Sequence, residues 1–131
     1  MSDTPIFNEL QARKLDELDE LVQRVRACLS DELLKPDQRK RERRTASAGH
    51  CYIASEALWH LTDRKLSVFH MTHEDNSHWF LCDVASGRIV DATADQFATP
   101  PPYGEARHSS FMTNAPSKRT RELLRRVAEL S

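Results

Sequence analysis

Between Asn8 and Ser30, Leu10, Leu15, Leu18, Leu21, Val22, Val25 and Leu29 recur at helical spacing, separated by acidic, basic and amide side chains. That period predicts an amphipathic helix ending at Ser30 or running on to Leu34. Pro36 interrupts, and Asp37 to Arg44 offers almost nothing apolar to bury, as a short polar helix or a loop would. The small residues Thr45 to Gly49 form a breaker. Beyond it, Ile53, Ala54, Ala57, Leu58 and Leu61 make one inward stripe, predicting a helix that opens at Cys51 and closes between Leu61 and Asp63. The period then changes to two. Leu66 to Met71 alternates as a half-buried strand does, and Thr72 to Ser77 reads as a polar loop. His78 to Val84 and Arg88 to Ala92 read as strands flanking Ala85-Ser86-Gly87, where Gly87 suits the positive φ of a hairpin. Asp95-Gln96-Phe97 reads as a turn, and Pro100 to Gly104 precludes regular structure. Pro116-Ser117 opens a last helix with Leu123, Leu124, Val127 and Leu130 on one side.

The expected fold is α+β. An antiparallel sheet of three or more strands packs on the helix that begins at Cys51, with two helices before it and a C-terminal helix over one side. The 131 residues suit a single domain: a helical N-terminal arm over 1–44, a core over 45–97, and a Pro-rich loop with the last helix over 98–131. A formal charge of −1 removes bulk electrostatic attraction to nucleic acid or anionic lipid. The basic run Arg39 to Arg44 and the basic C-terminal helix read as solvated faces. Cys28, Cys51 and Cys82 form an odd set without CxxC spacing, the N-terminus lacks a leader pattern, and no apolar run approaches the ~20 residues that span a bilayer. A reducing, cytoplasmic setting is the expectation.

A thiol on a helix N-terminus, followed by a histidine and an aspartate on a hairpin, is the minimum set for a cysteine nucleophile. The helix end favours thiolate over thiol, and an imidazole can take the departing proton if an acceptor fixes its tautomer. Cys51, His78 and Asp91 are the residues in that order. With the hairpin turning at Ala85 to Gly87, His78 and Asp91 fall at its open end on adjacent strands. The bland readings sit beside this one. Cys28 and Cys82 read as core thiols, and Cys51 could be a third. His50 reads as a contact of the helix terminus, Trp79 as core that could still cover the pair, and Phe97 as core. His70, His73, His78 and Cys82 match no zinc spacing, so no metal or other cofactor is expected.

The order Cys on helix, His on strand, Asp on the next strand resembles the papain-like and transglutaminase-like cysteine enzymes. More closely, Gly49-His50-Cys51, His78-Trp79-Phe80 and Asp91-Ala92-Thr93-Ala94-Asp95-Gln96-Phe97 are similar to the YunG-type proteins of bacteria and phages. The resemblance covers about Gly49 to Phe97. It implies a papain-like core with a triad on Cys51, His78 and Asp91. Papain-like enzymes carry a glutamine shortly before the cysteine as an oxyanion donor, whereas here Arg44 to Ala48 occupy those positions. The oxyanion would therefore take the Cys51 N–H, with His50, Ser47 or Gln96 as second donor and Trp79 beside the site. The expected activity is a thiol hydrolase or acyltransferase of peptidase, deamidase or amidase type. It would act on an amide or thioester carbonyl, with a protein or peptide as partner and an exposed cleft between Thr72 to Ser77 and Pro100 to Gly104. The alternative is a non-catalytic protein-binding module that keeps the fold.

Overall fold

The computed structural model describes residues 17–34 and 50–130. The polar segment at 37–44 and the breaker at 45–49, Ser47 included, lie outside them. Helix α1 covers 17–28 of the expected first helix, and a 3-10 turn at Asp31–Leu33 follows it. Helix α2, Cys51–Leu61, starts and stops where the apolar stripe predicts. Strands β1 (Ser67–His73), β2 (Asn76–Asp83), β3 (Arg88–Val90) and β4 (Arg107–Ser109) make a four-stranded sheet in the order β3-β2-β1-β4, and every neighbouring pair is antiparallel. Helix α3, Lys118–Glu129, closes the chain and packs on α2.

The pleat decides what each face carries. Val68 pairs with Leu81 and Leu81 with Val90, so these share the face that meets α2, together with Ala54, Ala57, Leu58, Leu123 and Val127. The alternate residues Phe69, His78 and Phe80 point to the other face. There a smaller aromatic cluster forms: Phe69 stacks on Phe80 at 5.7 Å between centroids, and Tyr103 meets Phe80 edge-on at 4.9 Å. The catalytic candidate His78 therefore belongs to the second cluster, away from the helical core.

Thr72 to Ser77 is not the expected polar loop. Both strands run through it, and Glu74-Asp75 alone makes the turn, with φ of 51° and 63°. Two successive left-handed residues are what a two-residue type I′ hairpin demands, so the polarity reflects a sharp turn between solvated strand ends. Glu74 has a compensating role. Its carboxylate accepts from Ala98 N at 3.1 Å, Thr99 N at 2.9 Å and Thr99 Oγ1 at 2.9 Å. Those bonds, Ala98 first and then Thr99, hold the Glu74 carboxyl below its usual range. They also tie the hairpin tip to the segment before Pro100. The two loops thus join into one rim and do not flank a cleft.

Other departures are local. Strand β4 carries no apolar alternation and pairs with β1 only over Val68 to His70, so backbone pairing, not side-chain pattern, makes it a strand. Cys82 faces the outer sheet surface and is only half-buried, while Cys28 sits in the core. A 3-10 turn at Tyr103–Glu105 directly follows the prolines.

Helix α3 is anchored at its start. Ser117 Oγ accepts from Thr120 N and donates to Glu56 Oε1 at 2.8 Å, and Ser117 N donates to the same oxygen at 3.1 Å. Glu56 is fully buried on α2, and these bonds satisfy its Oε1, while Oε2 has no hydrogen-bond partner among the described residues. Ser117→Ala removes the cap and one of the two bonds to Glu56. Urea unfolding should show a loss of about 1–2 kcal/mol.

Candidate active site

Strand β3 ends at Val90, level with Leu81 of β2. The rest of β2, back to Asn76, is therefore left without a strand partner on that side. Asp83 O accepts from Gly87 N at 2.7 Å inside the β2–β3 turn, so the carbonyls of alternate residues, Trp79 and Ser77 among them, point to the same vacated edge. The first turn of α2 docks there. Ser55 Oγ donates to Trp79 O at 3.0 Å, and the Cys51 thiol donates to Ser77 O at 3.5 Å. Residues four apart on a helix face meet carbonyls two apart on a strand edge, and this brings Cys51 beside His78.

His50 precedes the helix as its N-cap, with its carbonyl accepting from Ala54 N at 2.9 Å but no side-chain cap. Its imidazole is fully buried and turned away: Nε2 lies 2.8 Å from Ser30 O, beyond the end of α1. That bond ties the start of α2 to the end of α1. With no acidic residue in the first turn, the positive end of α2 is left to act on Cys51.

His78 Nε2 bonds Asp91 Oδ2 at 2.6 Å, the two side chains being 0% and 4% exposed. Extending the β2–β3 register by one residue sets Asp91 across from Phe80, so the bond is a diagonal one between the roughly opposite residues expected at the open end of the hairpin. The carboxylate has further partners. Tyr103 OH donates to Oδ2 at 2.8 Å, and Thr93 N donates to Oδ1 at 3.2 Å. Burial and the charge and bond of Asp91 push the Tyr103 hydroxyl well above its usual range, so it stays a donor. The His78 ring is held by Phe97, edge-on at 4.7 Å, and by Phe80, stacked at 6.0 Å.

Burial alone would lower the pKa of His78. The bonds to Asp91 and then Cys51, with the charges of both, outweigh it and raise the ring to about 9. At neutral pH His78 therefore carries both protons, with Nε2–H on Asp91. Burial raises the thiols of Cys28 and Cys82, against Arg126 in the first case and reinforced by Asp83 in the second.

Gln96 Nε2 lies 3.2 Å from His78 Nδ1 and 3.0 Å from Thr93 Oγ1. Here the structure redirects a candidate: the carboxamide is engaged with the imidazole and not extended toward a substrate carbonyl. It can present either Nε2 or Oε1, and the Thr93 hydroxyl can accept or donate, so the pair accommodates both protonation states of the ring. Trp79 keeps to the helical face, edge-on to Tyr52 at 5.1 Å and stacked on Phe111 at 5.7 Å, and does not cover the pair.

Tyr103, beyond the prolines, and Thr93 join the site without a sequence signal that points to them. Against the expected open cleft, Cys51 is only 9% exposed and His78 fully buried. A cavity of about 330 Å³ opens instead behind Tyr103, between Ala94, Phe97, Pro100 and Pro101, and includes neither Cys51 nor His78. Among the described residues no three His, Cys, Asp or Glu side chains are grouped to hold a metal, and no helix is long and apolar enough to cross a membrane.

Fold and site together define a class of arrangement: an α+β domain that sets a helix-terminal thiol against a buried histidine–aspartate pair. No protein-family model, curated protein or solved structure matches the chain.

Proposed function

We propose that the chain is a thiol-dependent hydrolase or acyltransferase acting on an amide or thioester carbonyl, with Cys51 as nucleophile, His78 as proton carrier and Asp91 as its orienting acceptor. The observation that carries the reading is the buried 2.6 Å bond from His78 to Asp91, made beside a thiol at the N-terminus of α2. The resemblance of 49–97 to YunG-type and papain-like proteins falls on the same residues and supports the same chemistry.

In this reaction Cys51 Sγ, as thiolate, forms a bond to the carbonyl carbon. The developing oxyanion takes N–H groups of the first turn of α2, Cys51 N–H first. Collapse breaks the bond to the leaving amine or thiolate, which receives the Nδ1 proton of His78. The neutral ring then removes a proton from water or an acceptor amine, which attacks the thioester and releases Cys51. No cofactor enters, and a protein or peptide supplies the carbonyl.

Trapping with Cys51→Ala from lysate should enrich a protein or peptide that the wild type cleaves, deamidates or acyl-modifies, with turnover about 10⁶-fold lower in the variant. Intact-mass measurement of the wild type quenched in acid should show the acyl group on Cys51. A partner bound equally by both forms and left unaltered by both would make the protein-binding module the better reading.

A further inference from the structure

We infer that Arg26 is a positioning residue for the His78–Asp91 pair: reaching from α1, it fixes the segment that carries Asp91, Thr93 and Gln96. The inference rests on the thiol reading above and names a part of the same site. Arg26 Nη1 and Nη2 donate to Asp95 Oδ1 at 3.1 Å and Oδ2 at 3.0 Å, a two-pronged pair, and Nη1 also donates to Ala92 O. Ala92 adjoins Asp91, and Asp95 adjoins Gln96. One guanidinium thus bridges both ends of the turn whose side chains hold the two nitrogens of His78.

The segment needs such a hold. Strand pairing has ended at Val90, and the bonds within the turn are short-range ones: Gln96 N to Thr93 O at 3.0 Å, Phe97 N to Ala94 O at 3.3 Å, Thr93 N to Asp91 Oδ1 at 3.2 Å and Gln96 Nε2 to Thr93 Oγ1 at 3.0 Å. Arg26 is itself well placed, since its neighbour Val25 is fully buried in the core. Its pKa is raised, by the Asp95 bond first, against desolvation, and then by the charges of Asp95 and Asp91. The titratable groups at the pair are accordingly the Cys51 thiol from α2, Asp91 and Asp95 from the turn, and Arg26 from α1, with the Tyr103 hydroxyl on Asp91. A lysine at 26 would keep the charge but lose the fork.

The sign of one measurement separates positioning from charge. If Arg26 acted only as a nearby cation, removing it would leave the His78 pKa unchanged or raise it. If it positions Asp91, removing it loosens the bond that raises His78, and the pKa falls. In the full-length chain, NMR titration of the His78 ring should show Arg26→Ala lowering the value from about 9 by about one unit. Alkylation of Cys51 by iodoacetamide should slow in parallel at about pH 8.5, where one unit takes the imidazolium fraction from about three quarters to about one quarter, with Arg26→Lys falling between. Arg26→Lys, which keeps the charge but loses the fork, should shift the ring in the same direction by less, and serves if Arg26→Ala does not fold. An unchanged or raised His78 pKa in a folded variant overturns the inference. Failure of the thiol reading looks different: His78→Ala would then leave Cys51 alkylation untouched, while the His78 titration would still report on Arg26.

Discussion

Iodoacetamide at about pH 6.5 should alkylate Cys51 at least tenfold faster than Cys28 or Cys82, because a helix N-terminus and an imidazole adjoin its sulfur. Exposure alone predicts another order. Cys82 is half-buried at the outer sheet face, whereas Cys51 and Cys28 are each 9% exposed, so access favours Cys82. Burial, however, raises the thiols of Cys28 and Cys82 and keeps them protonated. Cys51 has instead the N-terminus of α2 and an imidazole that stays protonated to about pH 9. His78→Ala should remove most of the difference. Peptide mapping of the labelled native protein reads it directly, and equal labelling of the three cysteines would mean that Cys51 is not activated.

The second large effect is on stability. A His78 pKa raised from 6.5 to about 9 in the folded state means that the folded protein holds a proton the unfolded chain releases. The contribution is fully present below pH 6.5 and is lost as pH rises through 9. Over that span the loss amounts to about 3 kcal/mol, taken at 1.36 kcal/mol per unit. Because Cys51 and His78 interact, the change belongs to the pair and not to the imidazole alone. Urea unfolding at about pH 6 and about pH 10 should therefore show the wild type markedly weaker at the higher value. Asp91→Asn should flatten that slope, since an amide cannot supply the charge that lifts His78. A wild type as stable at the high pH as at the low one would show that His78 is not held as imidazolium.

The residues that speak for themselves in the sequence are those governed by local periodicity and turn chemistry. The stripe from Ile53 to Leu61 determined α2 and placed Cys51 at its first residue, and Gly87, at φ 75°, determined the β2–β3 turn. That turn in turn predicted that His78 and Asp91 would meet. The tip at Glu74-Asp75 escaped because neither residue has the glycine or asparagine that usually marks left-handed backbone. Its compensation comes from Ala98 and Thr99, more than twenty residues on.

Long-range contacts decided the rest. His50, adjacent to Cys51 in sequence, was drawn to Ser30 O because a helix terminus and the end of α1 meet there. Gln96 went to His78 because the turn after β3 folds back under the imidazole. Tyr103 found Asp91 across the prolines, and Arg26 found Asp95 and Ala92 from a helix that shows no pattern pointing to them. The docking of Cys51 and Ser55 on the open edge of β2 follows from β3 stopping at Val90. The sequence by itself determined which side chains could do chemistry, since helix and strand periods are local. Only the tertiary structure decided which of them touch, because hydrogen-bond partners here are chosen by where elements end and pack.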